Sequence, residues 1–331
     1  MCMKILIVFT GGTIGCTEKN GVADVDSATC DRIAAICAKL GQETELAFPY
    51  NMLSENADCG TLSKLASFML SIDYEKYGGV IVTHGSDTLA YTANLLSAAL
   101  SWISIPVIIT AANYVMTDKR SNAEDNLHAA CAFIEESAKQ GRGGVFAAWK
   151  NDVNSAQIHL ASRLLESDAF GNFESFGGRP FARLDGERFE YAPDQEAIRT
   201  NTLAFLKNRR ITLKNNVALI HSYVGLDYGT LNIKGKDAVL LKLYHSGTAC
   251  MTGERTAFKN LAEMCRSENA DLYITPARRD TYVYGSSKGF NSTAAIPLYG
   301  MSEYRAYTLL LLAYSLEGAD RRAVLGLESI S

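Results

Sequence analysis

The sequence predicts an α/β protein of two α/β domains, each a mostly parallel sheet flanked by helices, the C-terminal one smaller. The main observation is short apolar runs that alternate with segments of helical spacing. A second is the glycine-rich turn "TGGTIG" placed directly after the first apolar run. A third is a polar stretch, 193–216, that separates two such alternating halves.

Taken in order, Ile5–Phe9 is an unbroken apolar run of the kind buried on both faces of a parallel sheet. Asp26–Leu40 carries Ile33, Ile36, Cys37 and Leu40 at helical spacing and stops at Gly41. Leu62–Ile72 reads as a helix, Gly79–Thr83 as a strand, and Leu89–Trp102 as a helix that opens after "HGSDT". Pro106–Thr110 and Gly144–Trp149 are strands with a helix, Asn122–Ser137, between them. From Gly171 to Ala192 the pattern weakens toward a hairpin or loops. In the second half, Val217–Tyr223, Ala238–Tyr244 and Asp271–Thr275 read as strands, and Thr256–Glu268 and Ser302–Leu316 as helices. The expected division is a catalytic N-terminal domain over 1–192, a linker over 193–216 and a C-terminal domain over 217–331.

Composition narrows the function. The 331 residues are 47% hydrophobic and 21% charged with a net charge of −4, and the densest basic cluster is Lys207-Asn-Arg-Arg210. Phosphate neutralisation needs clustered Lys/Arg, so nucleic acid is disfavoured as a partner. The eight cysteines form no C-x-x-C pair and read as buried thiols in a reducing compartment. The N-terminal apolar run is too short for a signal peptide, and no stretch of about 18 apolar residues suits a membrane span. A cytoplasmic protein is expected.

The opening turn spaces its glycines as G-G-x-x-G, which is neither the G-x-G-x-x-G of a dinucleotide site nor a P-loop, since no Gly-Lys-Ser/Thr occurs. It could be a tight strand exit alone, because glycine tolerates positive φ. It could also be a nucleophile site at the C-terminal edge of a sheet, where open α/β folds place ligands. Thr13 is then the candidate nucleophile, and Cys16, just beyond the turn, a weaker one. "VTHGSDT" follows another strand and sets Ser86 beside Asp87, a hydroxyl and a carboxylate suited to orienting water and taking a proton. Ser, Asp and Thr are also good helix caps, so the same residues suit a turn plus N-cap.

The pair "TGGTIG" and "HGSDT" resembles the bacterial-type L-asparaginase/glutaminase family. "LSENA" (Leu53 to Ala57), "RSNAEDNL" (Arg120 to Leu127) and "LLKLYHSGTA" (Leu240 to Ala249) resemble further family segments in the family's order. The resemblance implies hydrolysis of an amino-acid side-chain amide, asparagine before glutamine, by a cytosolic type I-like homodimer or homotetramer with no metal or organic cofactor. It implies Thr13 as nucleophile, with Ser86 and Asp87 holding or activating water. It implies Ser54 and Glu55 on the substrate's α-carboxylate and α-amino group, Gly12 and Gly85 beside the substrate, and Ala112 near the oxyanion donors. The sequence departs from the pattern in several places. Ser86 replaces a threonine. No tyrosine occurs from Thr17 to Asp31, where Val22 stands near the family's lid tyrosine. The relay lysine falls on Ala161 by gapless count, with Arg163 the nearest cation and Lys119 or Lys150 as substitutes. Other readings are a weakly active or inactive relative that binds an amino acid, and an ammonia-supplying amidotransferase subunit. His84 and His245 are expected to shape loops. His128, His159 and His221 are expected to be structural or surface groups, Phe170, Phe173 and Phe176 to pack, and Tyr304 and Tyr307 to lie in core or interface.

Overall fold

The computed structural model describes residues 4–19, 22–25, 27–151, 155–193, 203–277 and 287–326, with backbone only at 17–19, 22–25, 27–28, 287 and 291. Two compact units divide between Thr212 and Leu213.

The first unit runs β1 (Lys4–Phe9), β2 (Cys16–Lys19), β3 (Val22–Val25), α1 (Ser27–Lys39), β4 (Glu43–Ala47), α2 (Cys59–Ser71) and β5 (Gly79–Thr83). It continues through α3 (Leu89–Ala99), β6 (Pro106–Thr110), α4 (Ala123–Gln140), β7 (Gly144–Trp149), β8 (Gln157–Leu160), β9 (Ala182–Asp185) and β10 (Arg188–Tyr191). Eight of these strands form one sheet in the order β10-β9-β8-β7-β6-β5-β1-β4, and β2 and β3 form a separate antiparallel hairpin. Neighbours from β4 to β7 pair parallel, and β8, β9 and β10 pair antiparallel. The four central strands β1, β5, β6 and β7 are apolar because helices cover both of their faces. One face packs Ile5, Ile7, Ile81, Ile108 and Phe146 against Ile33 of α1 and Leu127, Phe133 and Ile134 of α4. Asp58 starts α2 by accepting from Thr61 N at 2.7 Å, and Gly141, at φ 61°, ends α4 in the left-handed conformation.

Residues 203–212 pack within this unit. Leu203, Leu206 and Ile211 are buried, Asn208 N donates to Leu70 O at 3.0 Å, and Ile211 N donates to Ser67 Oγ at 2.9 Å. Residues 194–202 of the expected linker lie outside the described residues.

The second unit contains β11 (Val217–His221), β12 (Ala238–Lys242), α5 (Phe258–Ser267), β13 (Asp271–Ala277), β14 (Ile296–Tyr299), α6 (Glu303–Tyr314) and α7 (Gly318–Leu325). Its four strands are parallel in chain order. Val239 and Leu241 face Phe258 and Leu261 of α5, while α6 packs against β11, β12 and β13 and buries Leu309 to Tyr314. Both units are thus α/β layers with mostly parallel sheets, the expected fold class. Among the described residues no helix is long and apolar enough to cross a membrane.

Candidate active site

The first sheet reverses direction between β1 and β5: the chain leaves β1 toward β4 on one side and leaves β5 toward β6 on the other. Such a switch point opens a crevice at the C-terminal ends of the two strands. Both hydroxyl motifs emerge there.

From β1, Thr10 leads into Gly11 and Gly12, at φ 100° and 77°, and then into a short 3-10 turn, Thr13–Gly15. These glycines are needed for closeness as well as for φ. A Cβ on Gly11 would lie 2.2 Å from Met52 O, and one on Gly12 would lie 2.3 Å from Gly85 N and 2.4 Å from the His84 carbonyl. The segment leaving β4 crosses beneath the turn: Met52 N donates to Thr10 O at 3.2 Å, and Gly12 N donates to Met52 O at 3.0 Å. A Cβ on Gly85 would meet Ser54 Oγ at 2.3 Å and Gly12 Cα at 3.4 Å. The first motif and "HGSDT" therefore meet at backbone contact, and the Ser54 side chain of "LSENA" lies against Gly85.

The side chains follow from these contacts. Thr13 is half-buried, Ser54 buried and Ser86 half-buried, whereas Glu55 and Asp87 are exposed. Ser54 Oγ lies 3.5 Å from Asp87 Oδ2, a long contact at the limit for a hydrogen bond. Thr88 occupies the N-cap of α3, yet its side chain makes no capping bond; its hydroxyl donates to Ser54 O at 3.0 Å instead. The reading of this motif as a plain N-cap therefore fails, because the hydroxyl is used to tie the loop to Ser54. His84 is fully buried. Its Nδ1 donates to Gly85 O at 2.8 Å and its Nε2 accepts from Thr92 Oγ at 2.9 Å. Burial pushes its pKa below the usual histidine value, so it supports the loop as a neutral ring.

Ala112 is buried just past the end of β6, one exit further along. Asn126 holds this edge together by donating to Ala111 O at 3.0 Å and accepting from Lys150 N at 2.7 Å. Asn113 and Asn122 exchange backbone-to-side-chain bonds at 3.0 and 3.1 Å. Asn122 and Asn126 are the structural content of "RSNAEDNL"; the segment signals them in sequence, but their partners depend on the fold. Cys16 is buried and its thiol donates to Gly12 O at 3.2 Å, which makes it part of the turn's scaffold.

Lys150 pairs with Asp125 at 2.7 Å, and Lys119 and Arg163 are exposed. Among the described residues, neither Asp87 nor Glu55 makes an ion pair. Ala161 is fully buried at the start of a 3-10 turn that packs on α3. β8 starts opposite Trp149 at the crevice edge and runs away from it, so Leu160 pairs with Phe146. At about 3.3 Å per residue along the strand, this sets Leu160 about 10 Å from the edge and Ala161 about 13 Å. An Ala161→Lys variant is accordingly expected to lose about 2 kcal/mol or more by overpacking and charge burial, with no gain in ammonia release. Urea unfolding and the ammonia assay check this.

Val22, near the expected lid tyrosine, lies in β3, and its side chain is outside the described residues. Among the expected packing aromatics, Phe173 meets Trp149 edge-on with centroids 4.7 Å apart, but Phe170 is 80% exposed. It sits at the tip of the 164–175 loop, where Asp168 accepts from Phe170 N and Asn172 N and turns the ring outward. His159 is buried against Ser175 Oγ at 2.8 Å, and burial lowers its pKa to about 4. Among the described residues no group of His, Cys, Asp and Glu could hold a metal ion.

The family model "Asparaginase, N-terminal" matches residues 4–197, more than half of the chain. The chain belongs to the asparaginase family. Among its relatives, the L-asparaginase of Thermococcus kodakarensis is 31% identical over 192 residues, 56% of this chain and 55% of that protein. A glutamyl-tRNA(Gln) amidotransferase subunit of Thermoplasma acidophilum is 28% identical over 165 residues, 49% of this chain and 39% of that protein. These matches span roughly half the length of such relatives or less. The solved L-asparaginase I of Vibrio cholerae shares the asparaginase fold, with a TM-score of 0.76 over 99% of this chain and 97% of that one at 19% identity.

Proposed function

We propose that this asparaginase-family chain hydrolyses the side-chain amide of L-asparagine to L-aspartate and ammonia. The observation that supports the reading is the backbone contact of Gly12 with Gly85, with the Ser54 side chain against Gly85, at the switch point next to Thr13, Ser86 and Asp87 in the chain. Thr13 Oγ attacks the amide carbon, and backbone donors beyond β6, near Ala112, stabilise the developing oxyanion. The amide C–N bond then breaks, ammonia leaves with the hydroxyl's proton, and an ester to Thr13 remains. Water held by Ser86 and Asp87 attacks that ester, releasing aspartate and restoring the hydroxyl. Ser54 binds the α-carboxylate and Glu55 the α-ammonium, a pairing of opposite charges. The working form is a cytoplasmic homodimer or homotetramer.

Purified protein incubated with L-asparagine, L-glutamine and their D-forms is expected to release ammonia fastest from L-asparagine. Release at the uncatalysed rate from all of them would sink the reading. Light scattering on a sizing column tests the oligomer.

A second reading is favoured by the Thermoplasma relative and by Asp87, which makes no ion pair among the described residues: an ammonia-supplying subunit that is poorly active alone. It expects a co-purifying partner and glutamine hydrolysis only in the complex. Aspartate binding by calorimetry without turnover marks instead the separate alternative, a weakly active or inactive relative that binds an amino acid.

A further inference from the structure

What keeps the β6 and β7 exits paired beyond the strands themselves? The β6/β7 ladder ends at Thr110–Ala148. Past it, two asparagine side chains of the α4 segment stand where a neighbouring backbone would. Asn126, fully buried, donates to Ala111 O at 3.0 Å and accepts from Lys150 N at 2.7 Å. Asn122, four residues earlier and also buried, accepts from Asn113 N at 3.0 Å and donates to Lys150 O at 2.9 Å. Each amide thus offers one donor and one acceptor to the two exits, as a peptide group does.

Neither side chain serves the helix. Asn122 is the N-cap of α4, yet it makes no side-chain capping bond. Asn126 lies inside the helix, where asparagine is a poor helix former and a buried amide is costly unless bonded. What the pair encloses is Ala112. It is fully buried, and among the described residues neither its N–H nor its C=O makes a hydrogen bond. Buried backbone groups are nearly always paired, so an unpaired N–H and C=O here are open to a bound molecule. The carbonyls before Ala112 alternate in direction. Thr110 O accepts from His84 N at 2.8 Å on the β5 side, and Ala111 O accepts from Asn126 on the α4 side.

We propose that Asn122 and Asn126 are positioning residues for amide hydrolysis: by gripping the chain on either side of Ala112, they hold its free N–H and C=O turned toward the β5 exit and the Ser86–Asp87 loop. The inference rests on the proposed hydrolase reading. Peptide dipoles aid a reacting amide only while their distance and direction are fixed. Both asparagines supply that fixity through the backbone of residues 111–113.

The test compares two ties between the same strands. Asn122→Ala and Asn126→Leu are each expected to lower kcat for L-asparagine about tenfold with KM within about twofold, because small misplacement of a reacting group costs rate. The double variant is expected to lose less than the product, because both side chains grip one segment. Thr110→Val is the control for a merely structural tie. It deletes a 2.9 Å bond to Ala148 O inside the ladder and only a 3.5 Å contact to Ala111 O. It is expected to lower the urea midpoint and leave kcat within about twofold. Unchanged kcat in Asn122→Ala, an equal loss in Thr110→Val, or fully multiplied losses in the double variant would overturn the role while leaving the hydrolase reading intact. Asn122→Ala against Thr110→Val decides the role even if Asn126→Leu does not fold. If the wild type releases no ammonia, the hydrolase reading fails instead, and hydrogen exchange decides the grip by itself. In Asn122→Ala the Lys150 amide keeps its own acceptor, Asn126, and its exchange is expected to quicken; unaltered exchange there overturns the joint grip.

Discussion

Thr13→Ala is expected to lower kcat for ammonia release from L-asparagine by ~10³-fold or more, as loss of a covalent nucleophile does in other hydrolases. The fold should be indifferent to the change. Thr13 is half-buried, its turn is held by Gly12, Cys16 and Met52, and losing a hydroxyl and a methyl there falls within about 0.5 kcal/mol of neutral. Aspartate should still bind, because its contacts are assigned to Ser54 and Glu55. Thr13→Ser, which keeps the hydroxyl, should retain measurable turnover. The alternative chemistry is direct attack on the amide by water that Asp87 activates, in which Thr13 serves only to shape the crevice. That route predicts a loss of about tenfold or less in Thr13→Ala, since general-base catalysis would survive. Steady-state ammonia assays on the two variants, with calorimetry of aspartate binding, separate the routes.

How far the molecule could be read from its sequence depends on where each element lies. The central strands Gly79–Thr83, Pro106–Thr110 and Gly144–Trp149 were legible to the residue, because burial on both faces makes them unbroken apolar runs. β4 was not, because it is the sheet's edge. Glu43 and Glu45 face solvent there, and Lys4 pairs with Glu45 at 2.7 Å, so the segment lacks an apolar signal. β8 hides its character behind Gln157 and His159, polar residues buried by tertiary contacts. β14 carries Pro297 and is half-exposed, as an edge strand tolerates.

The candidate site divides along similar lines. Thr13, Ser86 and Asp87 could be named from their strand-exit positions, whereas Ser54, Glu55 and Ala112 could be named only through the family resemblance. The Thr10–Thr83 bond could not be named either way, because it depends on β1 and β5 lying side by side in a register that local pattern does not encode. A count along the chain puts the relay lysine's position on Ala161, in the turn after β8, where the side chain present is a methyl group that cannot act as a cation.

The glycines offer the sharper energetic test, because the fold supplies its own control. Gly12 and Gly41 have nearly the same backbone angle, φ 77° and 79°. At Gly12 the φ goes with ψ 173°, a combination open essentially to glycine alone, and at either position an alanine must bear a positive φ, at about 1–2 kcal/mol. Gly41 has nothing within 4 Å of a new Cβ, so Gly41→Ala should cost only that and leave activity unchanged. At Gly12 the same Cβ would sit 2.3 Å from Gly85 N and 2.4 Å from His84 C. These are backbone atoms of a buried loop, and no side-chain rotation relieves the overlap. The β1 and β5 exits must part, straining the Gly12–Met52 and Thr10–Thr83 bonds that hold the turn. Gly12→Ala should therefore cost about 4 kcal/mol or more and abolish ammonia release. Urea midpoints for the two variants check the difference. Equal losses would mean that backbone angle alone accounts for the glycine at position 12, and that the close approach of the two motifs does not govern it.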